Sequence, residues 1–447
     1  MSNNNLINEA ISILHENWRD GFSVPSGKLY PFQWNWDSGF TAIGNAHLDI
    51  NKSIVEMETL FTGQWANGMI PHIIFHSEKE TTYFPNFDFW ETTINKGAPQ
   101  SPKTSGITQP PVHGFVLEQL LERYLENETN NISEVEFKAR ITKLILLTIK
   151  SHRFLYNYRD RDQEGLVFIY HPWESGRDNS PLWDKSMNRI VIEPNTLPPY
   201  TRKDTTIAHA DERPTSAQYD RYVYLLLLGK VNEYDGPGIA KESPFMIQDT
   251  LFNAILIQSN ASLIRLGERF GIDMTEVKAW QTKSVKAFKS KLWNEELSTF
   301  TGYDLVAEEP IAAHEIGAYG ALSAEIATKE QAKILTDRLL TLHTDGYSLC
   351  PSYDVTSEKF DSKRYWRGPV WPHMNWLIFQ GLEKYGYNSL SQIVRSDAIE
   401  LIRSFGFYEY FECVKTDAEK LDKGYGGDRF SWTAACILDF MKMKIHA

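Results

Sequence analysis

The chain has 447 residues, of which 42% are hydrophobic and 13% aromatic, and its net charge is −12. This composition supports a large buried core and excludes a disordered chain. Basic residues form no block and no apolar run reaches the length of a membrane span, so we expect neither nucleic acid nor a membrane as a partner.

Helical periodicity is the dominant pattern along the chain. Residues 6–14 repeat apolar side chains at the spacing that places them on one face of a helix. The same spacing predicts further helices, which lie in chain order over 38–48, 52–65, 114–126, 134–156, 215–232, 247–270, 274–295, 315–326, 329–343, 371–386, 389–404 and 431–444.

The connections between these helices are of two kinds. Short ones, such as residues 271–274, are typical of helical hairpins. Long ones, over 66–113, 157–214 and 344–370, are rich in Pro, Trp, Gly and Tyr, and long ordered loops are usually functional. No Pro/Ser-rich boundary divides the chain. We therefore predict an all-α fold with one domain over residues 1–447 and the long loops gathered at one end. A closed toroid and an open α-solenoid both fit this pattern.

Cysteine usage and glycine motifs limit the chemistry. Cys350, Cys413 and Cys436 include no C-x-x-C pair and predict neither a disulfide framework nor a zinc site. His72 and His76 stand four apart, but no glutamate follows the first, which argues against a zinc pair. Phosphate-binding and dinucleotide-binding glycine motifs are absent from the sequence, so we expect no cofactor and no metal. The N-terminal residues resemble an amphipathic helix and not a signal peptide, which favours a cytoplasmic protein; a monomer and a homo-oligomer both fit the sequence.

The irregular segments share one composition, in which aromatic side chains stand beside carboxylates, amides or arginines. Sugars require this mixture, because their hydroxyls need planar donors and acceptors while their C–H faces pack on aromatic rings. We therefore expect a small carbohydrate as the ligand. The segments are YPFQWNWDSGF (30–40), TSGITQPPVH (104–113), WESGRDNSPLWD (173–184), DERPTSAQYDRY (211–222), RYWRGPVWPHMNW (364–376) and FYEYFECV (407–414).

Two carboxyl groups in these segments are candidates for acid and base in glycoside hydrolysis. Asp178 lies between Trp173 and Trp183, where partial burial would raise its pKa, and Glu409 lies between two tyrosines. The residues alone leave other roles open, because Asp178 could start an Asx-turn and Glu409 could be a solvated loop carboxylate.

Several segments resemble the motifs of glycoside hydrolase family 63, namely PFQWNWDSGFTAIGNAHLD, HPWESGRDNSPLWD, YWRGPVWPHMNWL and FSWTAA. The resemblance is closer to the small bacterial branch of that family, the mannosylglycerate and glucosylglycerate hydrolases. It runs from about Tyr30 to Ala435, with the motifs in the same order. The resemblance implies a single (α/α) toroid of six helical hairpins and hydrolysis with inversion at the anomeric carbon.

The resemblance also implies roles for individual residues. Asp178 matches the general acid, and Glu409 matches the general base that activates water. The other matching residues fall into three groups: those around the non-reducing sugar (Tyr30, Trp36, Asp37, Gln109 and Trp371), those at the rim near the leaving group (Tyr365 and Trp366), and those that receive glycerate (Arg213 and Tyr219).

Elementary chemistry gives some of these residues a second interpretation. An arginine fork binds a carboxylate bidentately, so Arg213 favours an anionic leaving group, but it could instead form a structural ion pair with Asp211 or Glu212. The two tryptophans of the sugar pocket could be core residues. Asp37 could cap a helix that starts at the next residue.

One segment departs from the family pattern. The family follows the base with a compact D-P-x-T-G segment, whereas residues 412–429 here are longer, lack the proline and end in Arg429. The added lysines and arginine could hold an anionic leaving group or could be solvated.

The leading hypothesis is an inverting α-glycoside hydrolase that releases a hexose from glucosylglycerate or mannosylglycerate, with its two carboxyl groups roughly 6.5–9.5 Å apart. An α-glucosidase for neutral di- or oligosaccharides is the second hypothesis. More remote are a sugar epimerase-like toroid, for which His373 is the strongest acid/base candidate, and a non-catalytic sugar-binding protein. The last would not need to keep both Asp178 and Glu409.

Overall fold

The structure, a computed structural model, describes residues 1–77, 83–127, 130–202, 204–207, 209–415 and 424–442. Within these ranges the seventeen α-helices are, in chain order, α1 (Asn3–Glu16), α2 (Asn35–Asn45), α3 (Ile50–Phe61), α4 (Phe87–Trp90), α5 (His113–Glu126), α6 (Glu134–Tyr158), α7 (Asp184–Asn188), α8 (Asp204–Ile207), α9 (Ser216–Val231), α10 (Gly236–Glu242), α11 (Thr250–Phe270), α12 (Thr275–Ala287), α13 (Gly320–Ser323), α14 (Lys329–Thr344), α15 (Pro372–Lys384), α16 (Asn388–Phe405) and α17 (Ser431–Lys442).

Short strands between the helices form three small antiparallel sheets. The strands are β1 (Gln33–Trp34), β2 (Ile73–Phe75), β3 (Lys103–Thr104), β4 (Ile247–Gln248), β5 (Trp293–Asn294), β6 (Thr299–Phe300), β7 (Tyr303–Asp304) and β8 (Glu309–Pro310). Their orders are β1-β2-β3, β4-β7-β8 and β5-β6. In the first sheet Gln33 pairs with Ile74, and Ile74 pairs with Thr104, which fixes the segment before α2.

Six helices form a closed inner ring. In order around the ring they are α2, α5, α11, α13, α15 and α17; each packs against the next, and α17 packs against α2. Outer helices α3, α6, α12, α16 and α1 pack on α2, α5, α11, α15 and α17, respectively, while α14 follows α13 and buries Leu335 and Leu339 in the same apolar core. The predicted toroid of six helix pairs is therefore confirmed, and an open solenoid is excluded because the ring closes.

The sixth pair differs from the others because its two helices lie far apart in the sequence. Its outer member, α1, buries Leu6, Ala10, Ile13 and Leu14, and these side chains belong to one apolar cluster with residues of α17. Ser2 caps α1 by accepting a hydrogen bond from the backbone N–H of Asn5, as expected for a serine at a helix start.

One predicted helix is shorter than its periodicity indicated. The pattern over 315–326 is a 3₁₀ turn (Ile316–Tyr319) followed by the four residues of α13. Gly317 and Gly320 lower the helix propensity of this segment, and the side chain of Glu315 caps the turn by accepting from Gly317 N–H at 2.6 Å.

The N-terminal ends of the inner helices meet at one end of the toroid, together with the long loops. The contacts that join them are His113 (α5) with Asn35 (α2), Arg177 with Asp249 and Glu315, which precede α11 and α13, and Trp36 (α2) with His373 (α15) and Trp432 (α17). Residues from loops that are distant in the sequence therefore meet at this end of the toroid. Within the ranges given above, none of the helices combines the length and the apolar character that crossing a bilayer requires.

Candidate active site

A pocket opens at the end of the toroid where the inner helices start and the long loops gather. Including the open solvent at its mouth, it has an empty volume of about 880 Å³. All eleven residues singled out in the sequence line it: Tyr30, Trp36, Asp37, Gln109, Asp178, Arg213, Tyr219, Tyr365, Trp366, Trp371 and Glu409.

Glu409 is held by two donors and lies near a cation. Its side chain is 2% exposed; Oε1 accepts from the hydroxyl of Tyr30 at 3.0 Å, and Oε2 accepts from Gly427 N–H at 3.0 Å. Arg213 Nη1 lies 3.9 Å from Oε2. Burial raises the pKa of Glu409, while Arg213 and the two hydrogen bonds oppose that rise. These three groups favour an ionised carboxylate that can accept a proton.

Glycines from the unusual segment 412–429 form the wall behind Glu409. Gly426 has φ +73°, and a Cβ there would lie 2.2 Å from Glu409 Oε2, so only glycine fits this position. Arg429, in contrast, pairs with Glu9 at 2.5 Å and Glu16 at 2.7 Å on α1, and it does not line the pocket. Two of the four basic residues of this segment, Lys420 and Lys423, lie outside the described residues, and Lys415 pairs with Asp397 at 2.6 Å.

Asp178 keeps a partly exposed carboxyl inside the pocket. Its Oδ2 accepts from the hydroxyl of Tyr365 at 3.3 Å, and its backbone carbonyl accepts from the hydroxyl of Tyr222 at 2.7 Å. Withdrawal from water raises the pKa of Asp178 to about 7; Arg213 opposes this rise and Glu409 adds to it. Asp178 is therefore the better proton donor of the two carboxyl groups near neutral pH.

A glycine next to Asp178 brings a tryptophan against the backbone. Gly176 has φ +70°, and a Cβ at this residue would lie 2.5 Å from the ring of Trp36. Asp178 lies between two short 3₁₀ turns, Pro172–Ser175 and Pro181–Trp183. Because residue 176 is glycine, this segment can pack directly on the start of α2.

Arg213 links the two carboxyl groups of the pocket. Its Nη2 donates to the hydroxyl of Tyr30 at 3.1 Å, its Nε lies 3.4 Å from Asp204 Oδ2, and its Cζ lies 4.2 Å above the ring of Tyr365. Nη1 is buried and, within the described part of the chain, has no hydrogen-bond partner. The guanidinium can therefore donate to an anion that enters the pocket.

Aromatic rings form the floor of the pocket. Trp366 and Trp371 stack with their ring centroids 3.8 Å apart, and Gln109 Oε1 accepts from the backbone N–H of Trp36 at 3.3 Å. Both Trp36 and Trp371 are at most 2% exposed, so they belong to the core and also line the pocket. Such a floor suits the C–H face of a sugar.

Asp37 lies inside the first turn of α2, because that helix begins at Asn35 and its N-cap residue is Trp34. The alternative that Asp37 caps a helix starting at the next residue is therefore wrong. Burial, and secondarily the charge of Glu409, raise the pKa of Asp37 well above its usual value.

Sequence reasoning missed part of the lining, and the signal for the missed residues varies. Trp34 and Trp432 stand inside quoted motifs and could have been found there. Asp204 has no motif of its own and is recognised only by its contact with Arg213. The lining residues that were not singled out as site residues are Pro25, Leu29, Trp34, His72, Tyr83, Phe84, Trp173, Gly176, Asp204, Pro214, Phe430 and Trp432.

The two histidines considered for zinc have other contacts. His72 Nδ1 lies 3.3 Å from Ser105 Oγ, and its ring stacks on Trp173; His76 Nε2 lies 2.7 Å from Gln33 Oε1. Across the described residues, no group of three or more His, Cys, Asp or Glu side chains could hold a metal ion.

Comparison with known proteins gives matches over most of the chain. Residues 30–433 match the family described as mannosylglycerate hydrolase MGH1-like glycoside hydrolase domain. The chain is 38% identical to a mannosylglycerate hydrolase of Thermus thermophilus, over 96% of this chain and 99% of the relative. It is 33% identical to a glucosylglycerate hydrolase of Mycolicibacterium hassiacum, over 92% of each. A crystal structure of a family 63 mannosylglycerate hydrolase from Thermus thermophilus, in complex with Tris and D-glycerate, superposes with a TM-score of 0.88 at 38% identity, covering 97% of this chain and 99% of that one.

Proposed function

The chain belongs to the family of MGH1-like glycoside hydrolases, and we propose that it hydrolyses a small α-glycoside of glycerate with inversion at the anomeric carbon. That it is a glycoside hydrolase follows from the family. The leaving group, the hexose and the roles of individual residues are the content of the proposal.

The observation that carries the proposal is the unequal environment of the two carboxyl groups in one pocket. Glu409 accepts two hydrogen bonds and lies near a guanidinium, while Asp178 accepts from Tyr365 at 3.3 Å and has a pKa raised to about 7. A base that starts ionised and an acid that starts protonated are what an inverting glycosidase needs.

The reaction follows from these two starting states. Glu409 removes a proton from a water molecule while the water oxygen attacks the anomeric carbon. The bond from that carbon to the glycosidic oxygen breaks on the opposite face, and Asp178 gives its proton to the leaving oxygen. An α-glycoside and water thereby become a β-hexose and glycerate. Exchange of one proton from Glu409 to Asp178 through solvent restores the enzyme.

Arg213 supports an anionic leaving group. Among the described residues its Nη1 has no hydrogen-bond partner, although it lies 3.9 Å from Glu409 Oε2. A glycerate carboxylate would accept a charge-assisted hydrogen bond from it. A neutral leaving group would leave that buried donor without a partner. The relatives at 38% and 33% identity are a mannosylglycerate hydrolase and a glucosylglycerate hydrolase, respectively, so the proposal covers both hexoses.

Substrate screening tests the proposal directly. Purified protein is assayed against α-mannosides and α-glucosides of glycerate, glycerol and glucose, with Asp178→Asn and Glu409→Gln as controls. We expect hydrolysis of a glycerate glycoside, and a loss of about two to four orders of magnitude in each variant. Hydrolysis of the neutral glycosides alone would replace the proposal with a neutral α-glucosidase.

The stereochemistry of the first product tests the mechanism. Proton NMR during early turnover should show the β-anomer first, because inverting glycosidases place their two carboxyl groups roughly 6.5–9.5 Å apart and leave room for a water molecule. An α-anomer that appears first would mean retention and a different role for Glu409.

The epimerase-like alternative loses support at its candidate residue. His373 is fully buried among Trp36, Trp432 and other rings, and it does not line the pocket. Burial lowers its pKa well below the usual value, so it is not placed to exchange a proton with a sugar. The three cysteines are unpaired and buried, which agrees with the cytoplasmic location that the sequence favours.

A further inference from the structure

The residue that precedes the proposed acid is a buried arginine outside the pocket. Arg177 is 1% exposed and does not contribute to the pocket lining. Its Nη2 donates to both oxygens of Asp249, at 2.5 and 2.6 Å, and its Nη1 donates to Glu315. One guanidinium therefore joins two buried carboxylates that no catalytic step above uses.

Both carboxylates are caps of inner-ring elements. Asp249 accepts from Leu251 N–H at 2.7 Å at the start of α11, and Glu315 accepts from Gly317 N–H at 2.6 Å at the start of the turn before α13. The side chain of Arg177 is thus paired with two residues that cap inner-ring elements of the toroid.

The backbone of Arg177 is also fixed on both sides. Its N–H donates to Ser175 Oγ at 2.9 Å, and its carbonyl accepts from Trp183 Nε1 at 2.7 Å. That carbonyl belongs to the peptide that links Arg177 to Asp178, and a trans peptide sets the Cα of Asp178 about 3.8 Å from that of Arg177.

The carboxyl of Asp178, in contrast, has few direct contacts with the described residues. Tyr365 is its hydrogen-bond donor, at 3.3 Å, which is near the upper limit for such a bond. Its position therefore depends on the backbone that carries it.

We propose that Arg177 is a positioning residue for the acid. Its ion pairs with Asp249, before α11, and Glu315, before the turn that precedes α13, fix the peptide between Arg177 and Asp178 and so hold the Asp178 carboxyl near the leaving oxygen. The proposal rests on the role of Asp178 proposed above. The guanidinium presents two nitrogens at fixed positions, Nη1 to Glu315 and Nη2 to Asp249. Lysine has a single nitrogen and would not reproduce both contacts in the same geometry.

The test uses two substrates that differ in their need for an acid. Glycerate must be protonated as it leaves, whereas fluoride leaves an α-glycosyl fluoride of the same hexose without a proton. For Arg177→Lys we expect kcat on the glycerate glycoside to fall about 10²-fold, as for a misplaced catalytic group. We expect KM for that substrate and kcat on the fluoride to remain close to wild type. Asp178→Asn should show the same selectivity with a larger loss.

Arg123→Lys is the matched control. Arg123 is a buried arginine in the last turn of α5 and donates to Asp439 at 3.0 Å, far along the helix from the pocket end. It should lower thermal stability without any selectivity between the two substrates. If Arg177→Lys does not fold, Glu315→Gln weakens one of the two anchors and should show the same selectivity to a smaller degree.

The outcomes separate the two proposals. If folded Arg177→Lys and Glu315→Gln lose activity equally on both substrates, or on neither, the positioning role of Arg177 is overturned. A selective loss in Asp178→Asn would in that case still support Asp178 as the acid. Equal loss on both substrates in Asp178→Asn would instead overturn the acid assignment itself.

Discussion

Arg213 is the residue on which the charge balance of the pocket depends. Its guanidinium contacts Tyr30, which also binds Glu409, and lies over Tyr365, which binds Asp178. It opposes the rise in pKa of both carboxyl groups. One cation thus helps to keep Glu409 ionised, and its Nη1 has no hydrogen-bond partner in the described part of the chain.

Replacement of Arg213 by alanine should separate charged from neutral ligands. In a Glu409→Gln background, we expect Arg213→Ala to weaken binding of the glycerate glycoside by about 1.5–3 kcal/mol, the value of a charge-assisted hydrogen bond. Binding of the glycerol glycoside should change far less. Isothermal titration calorimetry measures both. Arg429→Ala is the control, because Arg429 pairs with Glu9 and Glu16 on α1; equal loss for both ligands in Arg213→Ala would contradict a glycerate site.

The pKa of Asp178 predicts the alkaline side of the pH profile. The acid form exists below the pKa, which burial raises to about 7, so kcat/KM should fall about tenfold per pH unit above that value. Arg213 opposes the rise in this pKa, so Arg213→Ala should move the alkaline limb to higher pH. Initial rates between pH 5 and 9 measure both effects, and a profile that stays flat to pH 9 would exclude Asp178 as the acid.

At the scale of elements, the sequence predicted the long helices and not the short ones. Amphipathic spacing located α1, α6 and α16 to within a few residues, because each buries one face against the core. The four-residue helix α4 and the two-residue strands have no periodicity to detect. Their position depends on tertiary contacts such as the pairing of Gln33 with Ile74.

The interface between α2 and α3 contains a buried acid whose protonation should make stability depend on pH. Glu56 of α3 is fully buried; its Oε1 accepts from Ser38 Oγ at 2.6 Å and from Gln33 Nε2 at 3.0 Å. Burial raises its pKa from 4.5 to about 7. The folded protein therefore keeps a proton that the unfolded chain releases, and stability falls as pH rises from about 4.5 to 7 and stays lower above.

Glutamine at this position mimics the protonated acid. Relative to wild type, we expect Glu56→Gln to be near neutral at pH 5 and more stable by roughly 1–3 kcal/mol at pH 8. Urea unfolding at both pH values measures the difference. Glu58→Gln, a change on the same helix at a partly exposed residue paired with Arg140, is the control; an equal effect of Glu56→Gln at both pH values would show that Glu56 is ionised in the fold.

At the scale of the whole molecule, ring closure is what assembles the pocket. Tyr30, Asp178, Arg213 and Glu409 come from three distant parts of the sequence, because Asp178 and Arg213 share one long connection, and they meet because the six inner helices start at the same end. Their motifs could be read from the sequence, since each joins aromatic and polar residues in an irregular segment. Contacts such as that between Tyr30 and Glu409 could not, because no local pattern encodes the distance between two loops.

The seam between α1 and α17 should be as important to stability as any other helix pair. Leu14 of α1 is fully buried in an apolar cluster that includes Ile437 and Leu438 of α17. Leu14→Ala should therefore lower the free energy of unfolding by about 2–5 kcal/mol. Urea unfolding measures it, with Leu146→Ala on the exposed face of α6 as the control, since Leu146 is 52% exposed. Equal small effects for the two changes would mean that the seam can open without loss of the fold.

The same seam has a consequence for how the protein is made. Asn17 and Ser431 are joined by a hydrogen bond at 3.0 Å although they stand 414 positions apart. At a synthesis rate of about 5–20 residues per second, the ribosome needs roughly 20–80 s to travel from one to the other. During that time the apolar face of α1 lacks the residues of α17 with which it clusters, and we expect nascent chains that end before α17 to be cleaved by protease near residue 10. Protection at that position should begin only when the last inner helix has left the exit tunnel.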